Sequence, residues 1–327
     1  MLTDPDRFAL MKAVLQTKYA GPEALRLGEI EVPEPKSGQL RVRVLACGVN
    51  LSDWEYLVGA PFYARMVGGL WRPKNPVLGS DIVGIIDKIG ADVSNFALGE
   101  RVMGDLVMER GGFAEYACVK ASEMVRVPDA LSDEFAACLP QAGGIAVAGT
   151  KGLKRGDRFL INGAGGGSGT MAMQLAKAVG ADVTAVDNAG KIEWLLKLGA
   201  DEVLDYRVTD FCRTGQTWDR ILDMVATRGP RQISRALAPA GVYQAVGGEV
   251  GTLLSLVFAG RFFQRQNKRI GMLIVPSGAA LTKEVAELVV TKKLTPHLEA
   301  VLPLSEVPKA LRDTGRGAVK GKLVIRP

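Results

Sequence analysis

The sequence predicts an α/β protein, a doubly wound parallel sheet joined to a separate β-rich region. Three observations carry that prediction. From Ser132 to Val246, short apolar strands alternate with helical segments, the pattern of parallel βαβ units. Residues 12–128 instead break into short apolar runs between Gly, Pro and Asp turn signals, which reads as a barrel-like or irregular antiparallel fold. The 327 residues suffice for two domains and a large core without disulfides or metal clips.

Met11 opens the strand-like run MKAVLQ, so residues 1–10 read as an extension. They hold no apolar h-region, and no signal peptide is expected. Leu40–Cys47, Ile82–Ile89, Phe113–Val119 and Met124–Val127 are strand candidates, and PEPKSG at 33–38 is a surface turn. Ser132 should cap a helix with Glu134 in its first turn. Strands follow at Arg158–Ile161, Asp182–Val186, Glu202–Leu204, Arg220–Asp223 and Val242–Val246, with helices at Gly169–Val179 and Lys191–Leu198. Leu253–Phe263 is mostly apolar and reads as a buried helix, or as an amphipathic contact with a membrane or lipidic substrate. A helix over Ala280–Val290 and a strand over Lys322–Ile325 close the chain.

Net charge is +6 and the pI about 9.1. The basic residues are scattered, and the densest cluster, Arg261 to Arg269, is interrupted by Phe262 and Phe263. That describes a solvated surface rather than a nucleic-acid patch. No apolar run approaches the ~20 residues of a membrane span, so stable membrane insertion is not expected. Cys47, Cys118, Cys138 and Cys212 form no CxxC pair, as for free thiols in a reducing, cytoplasmic setting.

The segment FLINGAGGGSGTMAMQLAKAVGADVTAVD, residues 159–187, carries the most chemistry. A buried strand runs into a glycine-rich turn and straight into a helix. Gly166 and Gly167 let backbone approach a pyrophosphate, and Gly169 lets helix and strand pack closely. The helix start, through Ser168 and Thr170, offers unpaired N–H groups to phosphates. Ala164 fills the first glycine position, so the fingerprint is AxGxxG. Asp187 closes the second strand, where a carboxylate binds a ribose 2′-hydroxyl and repels a 2′-phosphate, favouring NAD(H). Lys191, Tyr206 and Arg207 could instead hold a 2′-phosphate, so NADP(H) stays open.

The chain resembles the medium-chain dehydrogenase/reductase superfamily, in its zinc-free, quinone-oxidoreductase-like branch. The matching stretches are RVRVLACGVNLSDWEYLVG, RPKNPVLGSDIVGIIDKIGADVSNFALGERVMG, GGFAEYACV, INGAGGGSGT, LGADEVLDYR, LAPAGVYQAVGG and KGKLVI. The resemblance implies a GroES-like catalytic domain split between residues 1–131 and 276–327, around a Rossmann dinucleotide-binding domain at 132–275. It implies a cofactor in the cleft between them. It also implies a homodimer through edge strands, with Met272–Val275 a candidate.

Zinc-dependent relatives hold their metal with a Cys where this chain has Asn50 and a His where it has Ser80, in Gly79-Ser80-Asp81. The structural zinc lobe needs four close cysteines, and the 96–120 region has only Cys118; the sole histidine is His297. No convergent thiolate and imidazole set remains, and no metal is expected. Without a Lewis acid, simple alcohol oxidation loses its main charge stabiliser, whereas a quinone or α,β-unsaturated carbonyl is already electrophilic. The resemblance implies Asn50 at the nicotinamide end, where its amide can donate to an oxygen. Ser52 and Tyr56 are candidate proton donors, although the position that carries Tyr in relatives is Glu55. Asp53 should order the loop. Ile145 stands where many relatives carry Thr. Val246 and Gly247 are expected to meet the nicotinamide by their backbone. The bulky segment 60–72, with Phe62, Tyr63, Met66 and Trp71, would cover the mouth of an apolar site. These residues read as an NAD(P)H-dependent reductase of small hydrophobic quinones or enones. The alternatives are a zinc-free dehydrogenase or reductase of one pathway and a non-catalytic NAD(P)-binding redox sensor.

Overall fold

The computed structural model describes residues 9–258, 262, 267–276 and 278–327. Strands β1 (Leu10–Leu15) and β2 (Arg26–Glu31) form an antiparallel pair. After β3 (Gln39–Gly48), the helices α1 (Leu51–Val58) and α2 (Tyr63–Gly68) precede β4 (Asp81–Ile89), β5 (Arg101–Asp105), β6 (Tyr116–Lys120) and β7 (Met124–Arg126). β6 begins three residues after Phe113, because Phe113 is committed elsewhere: its N–H donates to Leu78 O and its carbonyl accepts from Val14 N. Helix α3 (Asp133–Ala137) starts at Ser132, whose side chain accepts from Phe135 N. It ends before Pro140, which opens α4 (Pro140–Thr150), since proline has no N–H to continue the previous helix.

The next strands are β8 (Arg158–Asn162), β9 (Asp182–Asp187), β10 (Glu202–Asp205), β11 (Trp218–Asp223), β12 (Leu237–Ala245) and β13 (Arg269–Met272). They carry α5 (Gly167–Val179), α6 (Ile192–Lys197), α7 (Pro230–Ala236) and α8 (Val250–Phe258). α5 starts two residues before Gly169 and α6 one residue after Lys191, which lies in a short 3₁₀ turn. Among the described residues these strands form one parallel sheet in the order β10-β9-β8-β11-β12-β13, the order of a Rossmann fold whose switch point lies between β8 and β11. The outer strand β13 ends at Met272, so it covers 269–272 rather than 272–275. α8 is not fully buried: Leu256 is covered while Leu254, Val257 and Phe258 are exposed. Arg261, Phe263 and Arg265 lie outside the described residues.

The chain closes with α9 (Ala279–Val290), β14 (Leu298–Pro303), α10 (Val307–Gly315) and β15 (Lys322–Arg326). Among the described residues β14, β15, β3, β4, β5 and β7 lie side by side in that order, and β6 pairs with β3. The molecule divides into two compact units, residues 1–141, 277–291 and 298–327, and residues 142–276 and 292–297. The first break falls at 141/142 rather than 131/132, because α3 packs on β3 and β4 of the first unit. The core of the first unit gathers Leu40, Leu57, Ile82, Leu106 and Phe113, and that of the second Leu160, Phe211, Trp218 and Tyr243. No helix among the described residues is long and apolar enough to cross a membrane.

Gly48 shows how tightly α3 sits. A Cβ there would lie 2.1 Å from Ala137 O and 3.2 Å from Asp81 Cβ. Gly48→Ala should destabilise the protein by about 1–3 kcal/mol, the usual cost of overpacking. A urea midpoint equal to wild type would show that α3 can move aside freely.

Candidate active site

One row of the first unit's sheet runs across Val324, Gly48, Asp81 and Asp105, which pair in turn on β15, β3, β4 and β5. Lys322 precedes Val324 by two residues, and strand side chains repeat every two residues, so both share a face. Asn50 follows β3 directly. Strand pairing thus brings residues from widely separated parts of the chain to one end of the sheet.

Asn50 is buried and stands at the N-cap of α1. Its Nδ2 donates to Ser80 Oγ at 3.0 Å. Its Oδ1 accepts from Lys322 Nζ at 2.7 Å. Asp53 orders the loop: Asn50 N donates to its Oδ2 at 2.9 Å and Gly79 N to its Oδ1 at 3.2 Å. Ser52 Oγ donates to Gln141 Oε1 at 3.0 Å, and Gln141 Nε2 to Asp105 Oδ2 at 3.4 Å. Gln141 N donates to Asp81 Oδ1 at 3.1 Å. Asn50, Ser52 and Asp53 therefore belong to one polar network with Ser80, Asp81, Asp105, Gln141 and Lys322.

Tyr56 points elsewhere. It is buried in the apolar core, with the Arg110 guanidinium 3.2 Å above its ring. Glu55 accepts from Tyr63 Oη at 2.5 Å. Phe62, Met66 and Trp71 of the 60–72 segment are exposed, Trp71 at 88%.

Burial governs the acids of the network. It pushes Asp53 up to about 7 against the two N–H groups that favour its charge. It pushes Asp105 up to about 8, with the neighbouring Asp81 charge adding to the effect. Asp81 is also raised by burial, with Lys322 opposing. Burial likewise raises the thiols, Cys47 well above the usual range and Cys118, Cys138 and Cys212 to about 12.

The donor set does not suit a zinc ion. The residues at the two ligand positions, Asn50 and Ser80, bond to each other, and a buried ammonium already contacts Asn50. Among the described residues no group of three His, Cys, Asp or Glu is placed to hold a metal. His297 packs against the Trp194 ring instead, centroids 4.8 Å apart.

In the second unit the glycine turn suits a pyrophosphate. Gly166 is the N-cap of α5, and Gly167 and Ser168 are partly exposed. A Cβ on Gly169 would lie 2.5 Å from the carbonyl oxygens of Gly163 and Ala164, so only glycine permits this approach of helix to turn. Thr170 is buried and its hydroxyl donates to Gly167 O at 3.0 Å. Asp187 closes β9 beneath this turn. Its Oδ2 accepts from Gly165 N at 2.8 Å, its Oδ1 accepts from Asn188 N at 2.9 Å, and Lys191 Nζ lies 3.5 Å away. Tyr206 is half exposed and its N donates to Asp187 O at 3.1 Å. Val246 follows β12, donating its N–H to Asp223 O at 2.8 Å, and Gly247 comes next, partly exposed. Ile145 is partly buried on α4.

Sequence reasoning missed Asp105, Gln141 and Lys322. Of the stretches that carry the resemblance, KGKLVI contains Lys322.

Residues 36–129 match the family model of the alcohol dehydrogenase GroES-like domain, and residues 198–325 that of zinc-binding dehydrogenases. A chloroplastic quinone-oxidoreductase homolog of Spinacia oleracea is 29% identical, covering 97% of this chain and 99% of the relative. A quinone oxidoreductase of Pongo abelii is 33% identical, covering 70% of this chain and 67% of the relative. The solved structure of the quinone oxidoreductase from Coxiella burnetii superposes with a TM-score of 0.87 at 27% identity, covering 98% of this chain and 100% of that one.

The raised acids set a pH dependence. Asp53 and Asp105 keep their protons up to about 7 and about 8 in the folded chain, whereas an unfolded Asp loses its proton near ~3.9. Between those limits the folded state binds more protons, so stability falls as pH rises. The urea midpoint should decline from pH ~5 to pH ~8, and Asp105→Asn should flatten that decline. An identical slope in the variant would contradict the assignment.

Proposed function

Because the chain belongs to the medium-chain dehydrogenase/reductase superfamily, in its quinone-oxidoreductase-like branch, we propose that it reduces small hydrophobic quinones or α,β-unsaturated carbonyls without a metal. The family implies an NAD(P)(H)-dependent oxidoreductase. The observation that carries the finer reading is the Asn50 carboxamide, held between Lys322 and Ser80 where zinc-dependent relatives place metal ligands.

When bound, the reduced nicotinamide supplies hydride from C4. In the second unit the α5 N-terminus and the turn at Gly166–Gly169 would hold the diphosphate by backbone N–H groups. The backbone of Val246 and Gly247 is assigned to the nicotinamide end. In the first unit an N–H of Asn50 donates to the substrate oxygen as it gains charge. Ser52 has its proton directed to Gln141, so it orients the loop in this state, and solvent is the simpler proton source. Tyr56, packed under Arg110, is not assigned proton transfer. The exposed apolar residues Phe62, Met66 and Trp71 would cover an apolar substrate.

NAD(H) is the proposed cofactor. Asp187 would repel a 2′-phosphate, and Lys191 is 4% exposed and turned toward Asp187 and Gly165 O. As placed, that ammonium is not presented to a phosphate. Homodimer formation is part of the reading, with the outer strand β13 as the edge.

Steady-state assays with NADH and NADPH against benzoquinones, naphthoquinones and enones test the proposal. Asn50→Ala should lower kcat about 10²-fold, the cost of removing one oxyanion donor. Wild-type protein that binds reduced cofactor but turns over no quinone, enone or aldehyde would favour the redox-sensor reading. Asp187→Ser should raise NADPH affinity relative to NADH by about tenfold, one charge contact's worth. Fluorescence titration with both cofactors checks this, and an unchanged ratio removes Asp187 as the selector.

A further inference from the structure

Lys322 has no role in the reading above except as a neighbour of Asn50. Its side chain is 3% exposed. An ammonium has three N–H donors, and all three are used: Asn50 Oδ1 at 2.7 Å, Val49 O at 3.0 Å and Asp81 Oδ2 at 3.3 Å. Burying a charge is costly unless it is paired and hydrogen-bonded. Asp81, wholly buried, is the counter-charge. Yet the shortest contact is not to the carboxylate but to the neutral amide oxygen of Asn50.

That geometry has an electronic consequence. A cation against an amide oxygen draws electron density toward it and leaves the amide hydrogens more positive. Chained hydrogen bonds in a low-dielectric interior strengthen one another in this way. Here the chain runs from Lys322 through Asn50 to Ser80. Asn50 Nδ2 carries two hydrogens; it donates to Ser80 Oγ and also hydrogen-bonds the Asp81 carboxylate, favouring its charged form. In the reading above a substrate oxygen takes the place of Asp81 at that second hydrogen. Asp53 fixes the Asn50 backbone, so Lys322 and Ser80 set where that hydrogen points.

We propose that Lys322 is an electrostatic positioning residue, whose buried ammonium orients and polarises the Asn50 carboxamide as the donor to the substrate oxygen. The ammonium does not touch substrate; it acts through Asn50. This rests on the reading that Asn50 meets the substrate oxygen.

Lys322→Met alone strands Asp81 as a buried unpaired charge and can unfold the unit. D81N alone strands the Lys322 ammonium in the same way, so the informative variant is the neutral pair K322M/D81N, compared with wild type. The carboxamide introduced by D81N keeps an acceptor for Gln141 N. In the folded pair, kcat should fall about tenfold or more, a fraction of the ~10²-fold cost of losing the donor itself. The KM for reduced cofactor should stay within about twofold, since the nucleotide residues lie in the other unit. A purely structural Lys322 would lower all substrates equally. The proposal requires a larger loss for weakly activated enones than for benzoquinone, because the polarised donor matters most where the acceptor is poorest. K322R should recover part of the lost rate.

A second readout needs no substrate. In ¹⁵N NMR the Asn50 side-chain amide protons should move upfield in K322M/D81N relative to wild type. Unmoved resonances overturn the proposal whether or not the protein has turnover. Wild-type turnover with an unaltered K322M/D81N overturns it while leaving the reductase reading intact. Absence of wild-type turnover sinks the reductase reading, and the resonance then decides the polarisation by itself.

Discussion

The first unit is organised around an imbalance of buried charge. Buried Asp53 and Asp81 and partly buried Asp105 gather, among the described residues, around Lys322 at the end of a sheet. Three full negative charges against one positive cannot be held out of water at neutral pH without large cost. Burial answers by raising the acids, and Lys322 offsets Asp81. The remaining cost is met by hydrogen bonds: backbone N–H groups to Asp53, Val107 N to Asp105 Oδ1, Gln141 to both Asp81 and Asp105. Nearly every polar residue there is held by another. Asn50 is tied to Lys322, Ser80 and Asp81 together, which in the proposed reading makes it the group through which the network acts on an outside molecule.

The second unit solves a similar problem differently. Its Asp187 meets Gly165 N, Asn188 N and Lys191. A carboxylate at the end of β9 thus braces the glycine turn from below. The residue that sequence reasoning reads as a selector of cofactor is also a structural prop for the glycine turn.

The parallel sheet was legible because its signals are local. Strand periodicity, the AxGxxG turn and Asp187 fall within the single run 159–187, and neighbouring strands lie in the order such units adopt. The β-rich unit was less so. Strand β2 alternates weakly, β5 is five residues long and contains a glycine, and α10 carries a proline in its first turn. The edge strand was displaced by three residues because the apolar run Met272–Val275 continues past the pairing: Ile274 is 83% exposed. Asn50 and Ser52 are picked out by their loop motif, but the motif does not reveal their partners Lys322 and Gln141. The loop motif does not reveal that the ring of Tyr56 lies in the core. Lys322, Asp105 and Gln141 become partners only through pairing of β15 with β3 and of β4 with β5.

That dependence on pairing ties the candidate site to completion of the fold. Lys322 Nζ and Asn50 Oδ1 are separated by 272 residues, with the whole second unit threaded between them. Contacts of such sequence separation form late, since loop-closure entropy must be overcome first. Until β15 docks on β3, Asn50 has no ammonium and Asp81 no counter-charge. A partly folded chain therefore carries the acids without the cation, and its first unit is at its least favourable in charge just where the finished one is most ordered. The β15 pairing supplies apolar cover through Leu323, Val324 and Ile325 and the compensating charge through Lys322, in the same five residues. One short strand thus brings both the apolar cover and the ammonium that bonds Asn50.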